Sequence, residues 1–133
     1  MAKFVTLKCL IVEDSAFIRE LYHNSLCDIL NFEIVAEALD GEEALRLIAE
    51  IKPDILILDL ILPLKNGLDV LSEIPALSPQ TRTIVISSLE DEATILKAKA
   101  LGALEYIKKP FTKTQLVNAI DEVSKYYAEV NNG

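Results

Sequence analysis

The chain has 133 residues, 51% apolar and 26% charged, with a net charge of -8, one histidine and two cysteines. That length suits one compact domain, and the apolar residues recurring along it exclude a disordered chain. The acid surplus opposes non-specific binding to nucleic acid or anionic membrane, and no stretch approaches the roughly 20 apolar residues of a spanning helix.

The first element is the aliphatic run Leu7–Val12, read as a buried strand. Lys3 and Lys8 accompany it, but Cys9-Leu10-Ile11-Val12 is too short for a secretory core and meets Glu13-Asp14 at once, so a cytoplasmic protein is expected. A helix is predicted from Ser15 to about Asp28, carrying Ile18, Leu21, Tyr22, Ser25 and Ile29. His23 on that helix reads as a surface residue. Cys9 and Cys27 lack metal or redox spacing and read as small buried apolar residues. Glu33–Ala36 is the second strand. Asp40-Gly-Glu-Glu43 has the spacing of a capping box, and Ala44, Ile48 and Ile51 share one face of the helix it opens.

Ile55–Leu58 is a third strand that runs directly into Asp59. The fourth, Thr83–Ile86, meets Ser87-Ser88. Glu90-Asp91-Glu92 sets three acids near the start of a helix through Leu101, favourable for its dipole, and Gly102 ends it in a left-handed conformation. Tyr106–Ile107 is the fifth strand, followed by Lys108-Lys109-Pro110. Thr112-Lys-Thr-Gln115 is a second capping box, and Leu116, Ile120, Val123 and Tyr127 line the last helix. The domain is expected over residues 1–128, with 129–133 a frayed tail.

Five alternations of strand and helix predict an α/β protein: a five-stranded parallel sheet, doubly wound as (βα)5, with both faces covered. Ligands of such sheets bind beyond the carboxyl ends of the strands. Glu13, Asp14, Asp59, Ser87 and Lys109 all fall there. Two carboxylates about 4 Å apart repel by roughly 4 kcal/mol at an effective dielectric near 20, so three together call for a cation. Hard oxygen donors in a small, partly hydrated site suit Mg²⁺, and a lysine adds a point charge for a carboxylate or phosphoryl oxygen.

The stretches "LIVEDS", "PDILILDLILPLKNGLDVL", "IVISS" and "YIKKPF" resemble the receiver domain of two-component response regulators, over roughly residues 6–128. The resemblance implies the flavodoxin-like strand order 2-1-3-4-5, for which a chemotaxis regulator of this family is itself a standard example. It implies Asp59 as phosphoacceptor, Asp14 as a direct Mg²⁺ ligand, Glu13 as a neighbouring acid acting through water, and the backbone carbonyl of Ile61 as a further ligand. It implies that Ser87 and Lys109 bind the phosphoryl group, that Pro110 is the lysine's cis neighbour, and that the rotamer of Tyr106 follows Ser87. The implied partners are a sensor histidine kinase or phosphotransfer protein, docking on the first helix, and an output protein. The latter would read the face of the fourth helix, fifth strand and fifth helix. A phosphorylation-dependent homodimer stays open; no direct nucleic-acid or membrane contact is expected.

Beginning at Met1 and stopping in a short polar tail, the chain reads as a stand-alone regulator. A receiver fragment of a larger DNA-binding regulator is the alternative. It is expected not to be an enzyme beyond Mg²⁺-dependent self-phosphorylation and slow self-dephosphorylation.

Leu62-Pro-Leu-Lys-Asn-Gly67 departs from the family's Met-Pro-x-x-Asp-Gly at Asn66, a residue that tolerates left-handed turn geometry. Ile61 and Leu89, each two residues beyond a site residue, are apolar where many receivers are polar; they offer water no hydrogen bond and predict slow phosphate loss. Other classes fit less well. A dehalogenase-type phosphatase has a second Asp where Ile61 stands. A nucleotide or flavin binder has a Gly-rich loop where Glu13-Asp14-Ser15 stands. A phosphate-independent pseudo-receiver fits poorly with all the site residues in place.

Overall fold

The structure, a computed structural model, describes residues 5–127 with their side chains and the backbone as far as 132. The tail expected over 129–133 lies outside the described side chains. In chain order the elements are β1 (Leu7–Val12), α1 (Ala16–Leu26), β2 (Phe32–Ala38), α2 (Gly41–Ile51), β3 (Ile55–Leu58), α3 (Gly67–Leu77), β4 (Arg82–Ser87), α4 (Glu92–Ala100), β5 (Ala103–Lys108) and α5 (Lys113–Asn132). The strands form one parallel sheet in the order β2-β1-β3-β4-β5.

Successive side chains of a strand point to opposite faces, so each central strand feeds two cores. Leu10, Val12, Leu56 and Leu58 pack with Ala44 and Ile48 of α2 and Val70, Leu71 and Ile74 of α3. Cys9, Ile11, Ile55, Ile57, Ile84 and Ile86 pack with Tyr22 and Leu26 of α1 and Leu116, Ile120 and Val123 of α5. Each such Leu or Ile contributes about 1.5–3 kcal/mol by leaving water. Burial on both faces is why β1, β3 and β4 are aliphatic runs without alternation.

The expected caps at Asp40 and Thr112 are present, and Asp91 proves to be another. Asp40 accepts the Glu43 N–H at 2.8 Å, although the Glu43 carboxylate turns to the Leu39 N–H instead of closing the box on Asp40. Thr112 and Gln115 bond reciprocally, at 2.9 and 3.1 Å. Asp91 caps α4 through the Thr94 N–H at 3.0 Å, and Gly102 follows the helix with φ 113°.

Cys27 departs from the sequence reading, and two turn details add to it. α1 ends at Leu26, so Cys27 is its C-cap and is exposed; only Cys9 is buried. Asn66 is not left-handed: it caps α3 with φ -70°, accepting the Asp69 N–H at 3.0 Å. Leu64 takes the positive φ of 67°, inside a tight turn closed by the Lys65 N–H on the Pro63 carbonyl at 2.7 Å.

Two glycines fix that loop. A Cβ on Gly67 would lie 2.4 Å from the Asp59 carbonyl oxygen, and one on Gly41 2.0 Å from the Lys65 carbonyl oxygen. Backbone can approach that closely only where there is no side chain. Among the described residues, no helix is long and apolar enough to cross a membrane.

Candidate functional site at the carboxyl edge of the sheet

Register sets the site. Val12 lies beside Leu58 and Leu58 beside Val85, so β1 and β3 end level, with Glu13 and Asp59 the next residue of each. The Asp59 N–H continues the ladder to the Val12 carbonyl at 3.1 Å, and the Lys109 N–H reaches the Ser87 carbonyl at 2.9 Å. The Lys109–Pro110 bond is cis.

Lys109 joins the strands electrostatically. Its Nζ donates to Glu13 Oε1 at 2.6 Å and to Asp59 Oδ2 at 2.9 Å. Asp59 Oδ1 accepts the Ile61 N–H at 3.1 Å, and Glu13 Oε2 accepts the Ser15 N–H at 3.1 Å. Glu13 and Asp59 are buried, whereas Asp14 is exposed, yet ligand oxygens of all three lie within 4.8 Å of one another. Three carboxylates against one ammonium leave a formal surplus of two negative charges, with only Asp14 open to solvent. Burial raises the Glu13 pKa, helped by the charge of Asp59, and the Lys109 hydrogen bond only partly offsets this. Burial works against the Lys109 ammonium, but its bonds to Glu13 and Asp59 outweigh that and hold its pKa above the ordinary value.

The hydroxyls sit one strand over. Ser87 is fully buried and its Oγ accepts the Leu89 N–H at 3.3 Å. Tyr106 is half-buried against the core, with its hydroxyl donating to the Leu89 carbonyl at 2.6 Å. Burial raises its pKa, while a hydrogen bond with Ser87 works the other way. The Tyr106 hydroxyl thus shares Leu89 with Ser87: one meets its carbonyl, the other its N–H. Leu89 is half-buried in the core, whereas Ile61 stands open to solvent at 51% exposure.

All the anticipated site residues thus gather at one edge. His23 lies outside the site, hydrogen-bonded to Glu37. Arg19 and Glu37, which no motif marks, also border the site: the Arg19 guanidinium spans from the Glu13 carbonyl to the Glu37 carboxylate.

Fold and site together define a doubly wound α/β protein with an acidic, lysine-bridged pocket at the carboxyl edge of its sheet. The family model of the response regulator receiver domain matches residues 9–121, and the chain belongs to that family. It is 37% identical over 121 residues to the chemotaxis protein CheY of Thermotoga maritima, covering 89% of this chain and 98% of that one. It is likewise 37% identical to the CheY of Listeria monocytogenes, over 90% and 99%. Among solved structures, the receiver domain of AraT, a response regulator from Geobacillus stearothermophilus, superposes with TM-score 0.86 at 32% identity, covering 94% of this chain and 98% of that one. CheY of Borrelia burgdorferi, in a complex with CheX, BeF3 and Mg²⁺, gives TM-score 0.84 at 29% identity, over 90% of each.

Proposed function

We propose that the protein is a phosphorylation-dependent signalling switch in which Asp59 accepts a phosphoryl group from a histidine kinase or phosphotransfer domain. The observation that carries this is the Lys109 ammonium held on both Asp59 and Glu13, with the Asp14 carboxylate beside them. The donor set fits Mg²⁺: hard oxygens, two surplus negative charges and an open side at Asp14. Asp14, Asp59 and the Ile61 carbonyl would hold the ion, with Glu13 acting through water; bound there, it supplies positive charge against phosphoryl oxygens.

The chain's own groups do the rest. The Ile61 N–H and Lys109 orient the Asp59 carboxylate, so one oxygen is presented to phosphorus while the bond to the donor's leaving group breaks. Lys109 then has a phosphoryl oxygen to pair with, and its charge stabilises the transferring group. Ser87 turns to the phosphoryl group, which changes what Tyr106 and Leu89 share with it. The face of α4, β5 and α5 carries that change to an output partner. Moving a two-state equilibrium from 1:99 to 99:1 takes roughly 5.5 kcal/mol, and charged hydrogen bonds of about 1.5–3 kcal/mol each supply it with two or three. The donor docks on the outer side of α1, where Phe17 is 68% exposed.

Incubation with Mg²⁺ and a small-molecule phosphodonor, followed by intact mass measurement, tests the core. The wild type gains one phosphate and Asp59→Ala gains none; equal gains refute the reading. The apolar Ile61 and Leu89 slow hydrolysis by leaving an attacking water unbonded. Polar residues at both positions shorten the phosphate lifetime, and Ile61, the more open of the two, accounts for most of the change. An unchanged lifetime in both variants would rule that out.

A further inference from the structure

Arg19 lies one turn into α1, and its side chain is 15% exposed. It donates through Nη1 to the Glu13 carbonyl at 2.9 Å and through Nε to Glu37 Oε2 at 3.0 Å. The other Glu37 oxygen is hydrogen-bonded to His23 Nε2. Glu37 sits on β2 opposite Ile11 of β1, so its backbone is fixed by the sheet. A guanidinium on α1 therefore ties β2 to the peptide that joins Glu13 to Asp14.

That peptide separates two carboxylates with different tasks. Glu13 points inward onto Lys109, and Asp14 points to solvent. The peptide before it is held by the Glu13 N–H on the Ala38 carbonyl at 3.0 Å, and its own oxygen, the Glu13 carbonyl, is held by Arg19. Rotating this peptide would swing Asp14 relative to Asp59. The planar guanidinium fork serves two partners at once, which a lysine point charge cannot do in the same geometry.

We propose that Arg19 is a positioning residue for the acidic pair: anchored by Glu37, it fixes the Glu13–Asp14 peptide so that the Asp14 carboxylate stays beside Asp59, where the two would hold a divalent cation. This rests on the proposed function only for the identity of the cation. Groups that orient metal ligands typically hold affinity by about 10–100-fold.

The test titrates Mg²⁺ into wild type, Arg19→Ala, Arg19→Lys and Glu37→Gln, followed by backbone amide NMR. Phosphorylation by acetyl phosphate is measured across the same Mg²⁺ range. Arg19→Ala weakens Mg²⁺ binding about tenfold, while its rate at saturating Mg²⁺ stays at the wild-type value. Without Mg²⁺, its Asp14 and Ser15 amide resonances already shift. Arg19→Lys loses less, and Glu37→Gln shows a smaller loss in the same direction. A folded Arg19→Ala that binds Mg²⁺ as the wild type does, whatever its melting temperature, overturns the proposal and leaves Arg19 a stabilising tie between α1 and β2. Should Arg19→Ala not fold, wild-type affinity in both Arg19→Lys and Glu37→Gln overturns it equally. A wild type that binds Mg²⁺ but takes no phosphate refutes the phosphoacceptor reading and leaves the role of Arg19 standing on the binding data.

Discussion

Both edges of the sheet bury polar groups, but they satisfy them differently. At the amino edge a set of neutral hydroxyls meets another hydroxyl or backbone. The buried Ser78 and Thr81 hydroxyls lie 2.7 Å apart, and Thr81 donates to the Pro53 carbonyl at 2.5 Å. The Tyr127 hydroxyl sits between the Asp54 and Gln80 carbonyls, 2.8 Å from the latter. At the carboxyl edge, beside the neutral Ser87 hydroxyl, the linked groups are ions. Lys109 is shared by two buried carboxylates while a third stands alongside, and the account does not close within the protein. Neutral pairs satisfied by backbone fasten loops together. A cluster with residual charge is left for something outside the chain to complete.

Replacing Lys109 with Ala should give the largest effect. It strands Glu13 and Asp59 and is expected to cost about 3 kcal/mol at neutral pH, measured by denaturant unfolding. Mg²⁺ should restore more stability to the variant than it adds to the wild type, because Lys109 no longer shares the site. Glu13 also sets the sign of the pH dependence. Its folded pKa is raised above the ordinary 4.5, so the folded protein holds a proton that the unfolded chain has released, and this contribution falls as pH rises through that window. Without Lys109 the window widens, so acidification toward the ordinary glutamate value narrows the gap to wild type. A gap that grows on acidification would break the contrast between the edges.

Thr81→Val at the opposite edge removes a neutral donor and leaves the Pro53 carbonyl and Ser78 hydroxyl short of a partner. We expect a loss of about 1–2 kcal/mol in unfolding free energy, no response to Mg²⁺, and unchanged phosphorylation. Altered phosphorylation would mean the two edges are coupled.

Tyr127→Phe is expected to be the mildest change near neutrality and to show itself in alkali. Burial, then the charge of Asp54, pushes the phenol from 10.0 up to about 12. Between those values the unfolded chain has lost the proton and the folded protein keeps it, so wild-type stability falls as pH rises. The variant lacks that part of the fall. Identical alkaline profiles would show that this hydroxyl is not held as described.

Legibility along the chain followed burial. The boundaries of β1 and β3 coincide with their aliphatic runs, because the segments covered on both faces, Cys9–Val12 and Ile55–Leu58, need apolar residues throughout. The edge strand β5 runs Ala103–Lys108, longer than the Tyr106–Ile107 visible in sequence, since its half-exposed positions admit Glu105. α3 was absent from the sequence reading although Val70, Leu71 and Ile74 recur at helical spacing on its buried face; Pro75 inside it is a residue that ordinarily argues against a helix. Cys27 read as buried because its type usually is, but the helix ends one residue before it.

What the sequence determined by itself was the alternation of elements and the residues standing at each strand end, because side-chain period, capping and two-sided burial are local properties of the chain. Tertiary structure alone decided that Lys109 reaches Glu13 and Asp59, 96 and 50 residues away, that Leu64 and not Asn66 takes the left-handed turn, and that Arg19 spans to Glu37. Those outcomes depend on sheet register and on how closely Gly41 and Gly67 let neighbouring backbones approach, and no local pattern carries either.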